Sequence, residues 1–116
     1  MVMKSDSALK KLFYVDDSPI HGKGLYARRT LKPGQYLGVY DGPETEENGA
    51  YVLWVEEEED YWVGRDGKNL LRYLNHSDDP CAEFDGFDLY AIKTIKPRQE
   101  VTINYGEDFD PEACAS

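Results

Sequence analysis

The feature that most constrains this chain is an alternation of short apolar runs with turn-forming residues. The runs are rich in β-branched and aromatic residues, for example KLFYV, GLYA, QYLGVY, YVLWV, DYWVG, LYAIKTI and EVTINY. All 6 prolines fall between such runs, where the missing backbone donor does not interrupt a hydrogen-bonded ladder. This pattern predicts many short strands rather than a helical bundle.

Helical periodicity is weak along the chain, and KLFYV at residues 11–15 is interpreted as strand. The one helix that we expect is a turn or two within residues 68–74, with Asp66 or Asn69 as its N-cap. A chain of 116 residues has the length of one domain. We therefore expect residues 1–116 to form a single domain.

The balance of charge limits the partners that this protein can have. Its formal net charge is -10, and nucleic-acid binding needs Lys and Arg to neutralise phosphates, so no direct contact with nucleic acid is expected. The acidic surface either serves solubility or attracts a basic partner. Two distant cysteines do not suggest a disulfide-stapled secreted domain, and no run has the length of a signal peptide core or a membrane span. A soluble, intracellular protein without membrane contact is expected.

The segment LLRYLNHSDDPC at residues 70–81 gathers many hydrogen-bonding groups behind apolar residues. Nitrogen and sulfur metal ligands are available from His21, His76, Cys81 and Cys114. Their spacing is unlike that of a zinc knuckle, so no metal is predicted. Ser77 lacks the flanking glycines of a nucleophile elbow, which argues against a serine hydrolase.

Two further features lie on either side of that segment. Gly22 and Gly24 flank Lys23 between a turn and a strand, so that backbone N–H groups can approach a ligand closely. Tyr105 ends the run EVTINY immediately before a glycine. Taken singly, the first feature is equally compatible with an ordinary turn and the second with a core tyrosine.

The order HGKGLYA, VYDG, RYLNHSDDP and EVTINYG resembles that of SET-domain protein lysine methyltransferases, over about residues 10–109. The chain is similar to the compact single-domain viral and prokaryotic members. The resemblance implies a mainly β fold, a β-clip of short strands in several small sheets with a C-terminal pseudoknot and a short helix. It also implies transfer of a methyl group from S-adenosylmethionine to a lysine amine in a basic protein or histone-like tail. The protein would then act in the cytoplasm, or in the nucleus or on host chromatin if it is viral or a secreted effector.

The resemblance also assigns roles to individual residues. Asn75 would hold the amino group of the cofactor, the His76 backbone would meet its adenine, and Arg72 would either tie the segment down or contact the cofactor. Tyr105 matches the catalytic tyrosine. The residues expected to contact the cofactor are Gly22, Lys23, Gly24, Leu25, Tyr26, Arg72, Asn75, His76 and Tyr105.

The resemblance further implies a channel that admits the substrate lysine. Its walls are expected from Tyr40, Tyr51, Phe84, Ile103 and Phe109. Phe84 and Ile103 lie at or near positions where relatives use Phe or Tyr to set product multiplicity, and neither carries a hydroxyl. Higher methylation states are therefore expected.

The sequence departs from the family pattern in three places. Cys81 stands where relatives usually carry Asn, and Arg98-Gln99-Glu100 replaces the usual Gly-Glu-Glu. The three-cysteine cluster that follows the SET domain in many members is missing, so Phe109 and the tail, or a second subunit in a homodimer, would close the lysine channel. A catalytically silent SET fold that binds proteins is the alternative function, and a generic small β-barrel binding protein is a third.

The insert YVLWVEEEEDYWVGRDG at residues 51–67 matches the variable region that helps form the peptide groove. Its EEEED stretch either steers a basic tail or is an ordinary solvated turn. Trp54, Tyr61 and Trp62 are expected in the core or at an interface.

Overall fold

The computed structural model describes residues 4–106, and side chains from residue 7 onward. The described part contains the helix α1 (Lys4–Leu12) and a 3-10 helix (Leu70–Tyr73). The strands are β1 (Phe13–Asp17), β2 (Lys23–Ala27), β3 (Tyr36–Val39), β4 (Glu44–Thr45), β5 (Val52–Glu58), β6 (Tyr61–Asp66), β7 (Asn75–His76), β8 (Ala82–Asp85), β9 (Asp88–Ala91) and β10 (Glu100–Ile103). The expected mainly β fold of short strands in several small sheets is confirmed.

The strands form three small sheets. Their orders are β1-β2-β10-β7, β3-β9-β8 and β4-β6-β5. In the first sheet, β10 pairs antiparallel with β2 and parallel with β7, so that Thr102 lies opposite Asn75 and Ile103 opposite His76. This pairing inserts the last described strand between two earlier segments and leads the chain to Tyr105 beside β7.

One hydrophobic core joins the three sheets. Its fully buried members include Phe13, Leu25, Leu31, Leu53, Leu71, Leu89, Ile95 and Val101. They come from all three sheets and from the 3-10 helix, because each short element carries only a few apolar side chains and must share them in a common core. The polar segment at residues 75–81 is therefore held by apolar neighbours on both sides in sequence.

Two expectations about helices need correction. Residues 11 and 12 belong to α1 and not to a strand, because Leu9 is buried and packs over the backbone of Gly38 in β3, at a point where a side chain would collide with it. The 3-10 helix falls within the expected residues 68–74, but the Asn69 side chain does not cap it. The Asn69 amide instead donates to the Val39 carbonyl at 2.8 Å. Within residues 4–106, no helix is long and apolar enough to cross a membrane.

Candidate functional site

A cavity of about 270 Å³ lies between the glycine loop and the end of β10. Seven of the residues expected at the cofactor site or the lysine channel line it: Gly22, Lys23, Tyr40, Tyr51, Arg72, Asn75 and Tyr105. Residues far apart in the chain thus meet at one place, which the antiparallel β2–β10 and parallel β10–β7 pairings bring together.

The glycine loop is shaped by a carboxylate that lies behind it. A side-chain carbon on Gly24 would collide with the Glu100 carboxylate and would lie 3.0 Å from Ser18 Cβ. Gly22 has a φ of +45°, in the left-handed region that favours glycine. The first glycine is therefore needed for the turn, and the second for close packing against Glu100.

Asn75 holds this loop from the other side. Its side chain is almost fully buried. The amide nitrogen lies within 2.9–3.1 Å of Ser18 Oγ, Glu100 Oε2 and the carbonyl oxygens of His21 and Lys23. An amide nitrogen has only two hydrogens to share among these acceptors. Both N–H groups of the Asn75 amide therefore bond to the protein, and its side-chain oxygen is the atom that can accept a hydrogen bond from a ligand.

Tyr105 is fixed at both its backbone and its hydroxyl. Its backbone N–H donates to His76 Nδ1 at 3.0 Å, and its hydroxyl donates to the Leu74 carbonyl at 2.8 Å. Since Nδ1 accepts, the neutral His76 ring carries its proton on Nε2, which lies 2.9 Å from Asp78 Oδ1. The Tyr105 hydroxyl is therefore held at the carbonyl of Leu74, the residue before Asn75.

Arg72 lines the cavity, but its guanidinium is used within its own segment. Its Nη1 atom donates to the carbonyls of Lys68 at 2.7 Å and Asn69 at 2.9 Å, and Nη2 donates to the Tyr73 hydroxyl at 2.9 Å. Arg72 was expected either to stabilise its own segment or to contact the cofactor. These hydrogen bonds are of the first kind and stabilise the 3-10 helix.

The side chains of Leu25 and Tyr26 lie away from the first cavity. Leu25 is fully buried in the core, where β2 lies between β1 and β10. The Tyr26 ring stacks on Tyr14 with centroids 5.5 Å apart, and its hydroxyl donates to the Asp17 carbonyl at 2.6 Å. Both side chains form part of the framework and not of the cavity lining.

The expected channel residues divide between two cavities. Tyr40 and Tyr51 line the first cavity, and the buried Tyr40 donates from its hydroxyl to the Tyr51 carbonyl at 2.5 Å. Phe84 and Ile103 line a second cavity of about 200 Å³. The rings of Tyr40 and Phe84 pack edge to face, 5.6 Å apart, and connect the two walls. Phe109 lies outside the described residues.

Of the four possible metal ligands named from the sequence, Cys114 lies outside the described residues. No group of three or more His, Cys, Asp or Glu side chains among residues 4–106 is arranged to hold a metal ion. Cys81 is buried, and its sulfur accepts from the Thr102 N–H at 3.4 Å. In the part of the chain described, this cysteine therefore links its segment to β10.

Sequence reasoning missed the part that Ser18 and Glu100 play. The Ser18 hydroxyl lies 2.8 and 2.9 Å from the two Glu100 carboxylate oxygens and also accepts from Asn75. The available signal was an acidic residue at the entrance of the buried run EVTINY. The contact itself could not be predicted locally, because the partners are 82 positions apart in the sequence.

The structure is that of a small β protein in which the end of the last described strand meets a glycine loop at one cavity. The chain belongs to the SET-domain family, whose model matches residues 22–106. No curated protein sequence matches the chain significantly.

Two solved structures share the fold. The methyltransferase domain of human histone-lysine N-methyltransferase SETMAR matches with a TM-score of 0.70 and 22% identity, over 80% of this chain and 44% of that chain. The ctPRC2 structure in an autoinhibited conformation bound to S-adenosylmethionine matches with a TM-score of 0.73 and 24% identity, over 84% of this chain and 15% of that chain. This chain therefore spans less than half the length of either structure.

Proposed function

We propose that this protein is an S-adenosylmethionine-dependent protein-lysine N-methyltransferase that modifies a basic protein segment. The observation that carries the proposal is the meeting of Tyr105, Asn75 and the glycine loop around one cavity in a SET domain. The fold neighbours support it, because SETMAR is a histone-lysine N-methyltransferase and ctPRC2 was bound to S-adenosylmethionine.

The residues of the first cavity suit a ligand that carries an amino-acid group. The Asn75 oxygen can accept a hydrogen bond from its ammonium, and the loop around Gly22 presents backbone to its carboxylate. When bound, S-adenosylmethionine supplies an electrophilic methyl group on a sulfonium sulfur. Gly22, Lys23, Asn75 and the His76 backbone are the groups that would hold it.

The chemical task of Tyr105 follows from its fixed position. Its hydroxyl and the Leu74 carbonyl place two oxygen atoms 2.8 Å apart beside the cavity. Oxygen dipoles that are already oriented stabilise a methyl group carrying partial positive charge and make weak C–H···O contacts to it. Because β10–β7 pairing holds both groups, they need little reorganisation during transfer.

The lysine amine must be neutral when it attacks. An apolar wall disfavours the ammonium form, and the second cavity offers one at Phe84 and Ile103. Neither side chain has a hydroxyl to hold water beside the amine, so products with two or three methyl groups are favoured. The net charge of -10 favours a basic substrate, such as a histone tail or a basic bacterial or ribosomal protein.

The proposal is tested by incubating the protein with methyl-labelled S-adenosylmethionine and a panel of basic proteins, followed by hydrolysis and identification of the labelled amino acid. Calorimetry with the cofactor alone is carried out in parallel. Cofactor binding and labelled methyl-lysine are expected. A wild-type protein that binds no cofactor would instead favour the catalytically silent binding module.

The transfer rate is expected to rise about tenfold per pH unit between pH 7 and 9, because the neutral fraction of a lysine with a pKa near 10.4 rises by that factor. The Lys23–Asp17 hydrogen bond raises the pKa of Lys23 and lowers that of Asp17, and burial raises the pKa of Tyr26. Lys23 and Asp17 therefore stay charged, and Tyr26 neutral, throughout this range. Initial rates at saturating cofactor measure the slope, and a flat profile would contradict amine deprotonation as the cause.

A further inference from the structure

A second surface with a chemistry of its own lies on the outward face of the β4-β6-β5 sheet. In the β5–β6 ladder, Trp54 lies opposite Gly64 and Glu56 lies opposite Trp62. Side chains alternate between the two faces of a strand, and Leu53, from the other face, is fully buried. Trp54, Glu56 and Trp62 therefore project from the face opposite the core.

The Trp54 indole is held in place before any partner arrives. Its Nε1 donates to Asn48 Oδ1 at 3.0 Å. A side-chain carbon on Gly64 would lie 2.7 Å from Trp54 Cζ3 and 2.7 Å from the Thr45 carbonyl. The ring thus lies directly over the glycine, in a position that any larger residue would block.

Two adjoining depressions of about 420 and 460 Å³ are formed around Trp54, Trp62 and Glu46, with Glu44 and Tyr61 at the first. The side chains of Tyr61 and Trp62 are 59% and 46% exposed. An exposed aromatic face and a nearby carboxylate both attract a cation.

The Glu46 carboxylate lines both depressions. None of the ion pairs within residues 4–106 includes Glu46. Arg65 lies opposite Glu44 across the β4–β6 pair. Its guanidinium nevertheless donates to the Tyr40 carbonyl at 2.9 Å and lies 3.9 Å from the Phe87 ring centroid. Because residues paired across strands share a face, Glu44 and Arg65 lie on the face of Leu53, and this arginine is directed toward the core.

We propose that this surface binds an arginine side chain of a basic polypeptide, at a place separate from the two cavities of the reaction site. Arginine is the cation of choice, because its planar guanidinium stacks on an indole while pairing with a carboxylate, and the depressions are open and not enclosed. The identity of that polypeptide as the methylated substrate rests on the proposed function. Arginine binding would then hold the substrate while a lysine elsewhere in it enters the channel.

The test measures fluorescence anisotropy of a labelled, lysine-free peptide of arginine, glycine and serine added to the full chain. Binding by the wild type, weakened about 5- to 10-fold in Trp62→Ala and in Glu46→Gln, is expected from the loss of one stacking or charged contact. Tyr36→Ala is the matched control, since Tyr36 is an exposed aromatic residue on β3, outside the surface. It should bind the peptide as the wild type does, and circular dichroism checks that each variant is folded.

Failure of the wild type to bind, or equal binding by Trp62→Ala, would overturn the proposal. Tighter binding of a matched peptide with trimethyl-lysine in place of arginine would also overturn it, in favour of a site that reads the methylated product. The arginine peptide contains no lysine, so its binding can be measured whether or not the protein transfers methyl groups. A protein that transfers methyl groups but fails this test keeps the proposed function and loses the arginine site.

Discussion

Replacing Tyr105 by phenylalanine is expected to lower the rate of methyl transfer by about 10²- to 10³-fold, the usual effect of losing one preorganised polar group at a reacting centre. The substitution removes only the hydroxyl that donates to the Leu74 carbonyl at 2.8 Å. The ring would still pack beside His76, whose centroid is 5.3 Å away, and the backbone N–H would still donate to Nδ1. The site therefore keeps its shape and loses one oxygen.

Single-turnover transfer with saturating labelled cofactor measures this loss, and calorimetry with S-adenosylmethionine measures binding separately. Tyr26→Phe is the matched control, because the Tyr26 hydroxyl donates to the Asp17 carbonyl away from the cavity. The control should transfer at close to the wild-type rate. If Tyr105→Phe were equally active, the hydroxyl would have no part in transfer, and Tyr105 would be a structural residue of the β10–β7 junction.

The fold was accessible from the sequence where local chemistry decides it. Short β-branched runs bounded by Gly and Pro became strands, since such segments suit a pleated ladder and end where turn residues occur. Helix α1 escaped prediction because it is only 9 residues long and its last residues, Lys11 and Leu12, run directly into the strand residues of KLFYV. Its helical state depends on tertiary packing over Gly38, which a local pattern cannot report.

The site could be predicted where the sequence resembles a known family, and could not where long-range packing decides it. The resemblance to SET domains implied that the glycine loop, Asn75 and Tyr105 share a site, and one cavity is lined by all three. The resemblance to SET domains placed Leu25 among the residues expected to contact the cofactor. Leu25 points to the core because β2 is an inner strand and neighbouring residues face opposite sides. The Ser18–Glu100 contact depends on long-range pairing that no local spacing encodes.

Asn75→Ala is expected to weaken cofactor binding by about 30- to 100-fold, equivalent to about 2–2.7 kcal/mol. It should also lower the free energy of unfolding by about 1–3 kcal/mol, the usual cost of leaving buried polar groups without a donor. Both effects have one cause, because the Asn75 amide shares its two hydrogens among Ser18, the Glu100 carboxylate and the carbonyls of His21 and Lys23. Without it, the glycine loop loses its support, and the ligand loses the side-chain oxygen.

General destabilisation must be separated from this specific loss, and the chain offers a suitable control. Asn69 is also a fully buried asparagine, and its amide donates to the Val39 carbonyl at 2.8 Å, in the core and not on the glycine loop. Asn69→Ala should therefore lower the thermal midpoint while cofactor affinity, measured well below that midpoint, stays near the wild-type value. If both variants lost cofactor affinity equally, the loss would be due to general destabilisation and not to a contact with the cofactor. If only Asn75→Ala loses affinity, cofactor binding depends on the hydrogen bonds that join Asn75 to Ser18 and Glu100. Because Glu100 belongs to β10, the position of this strand would then be part of the cofactor site.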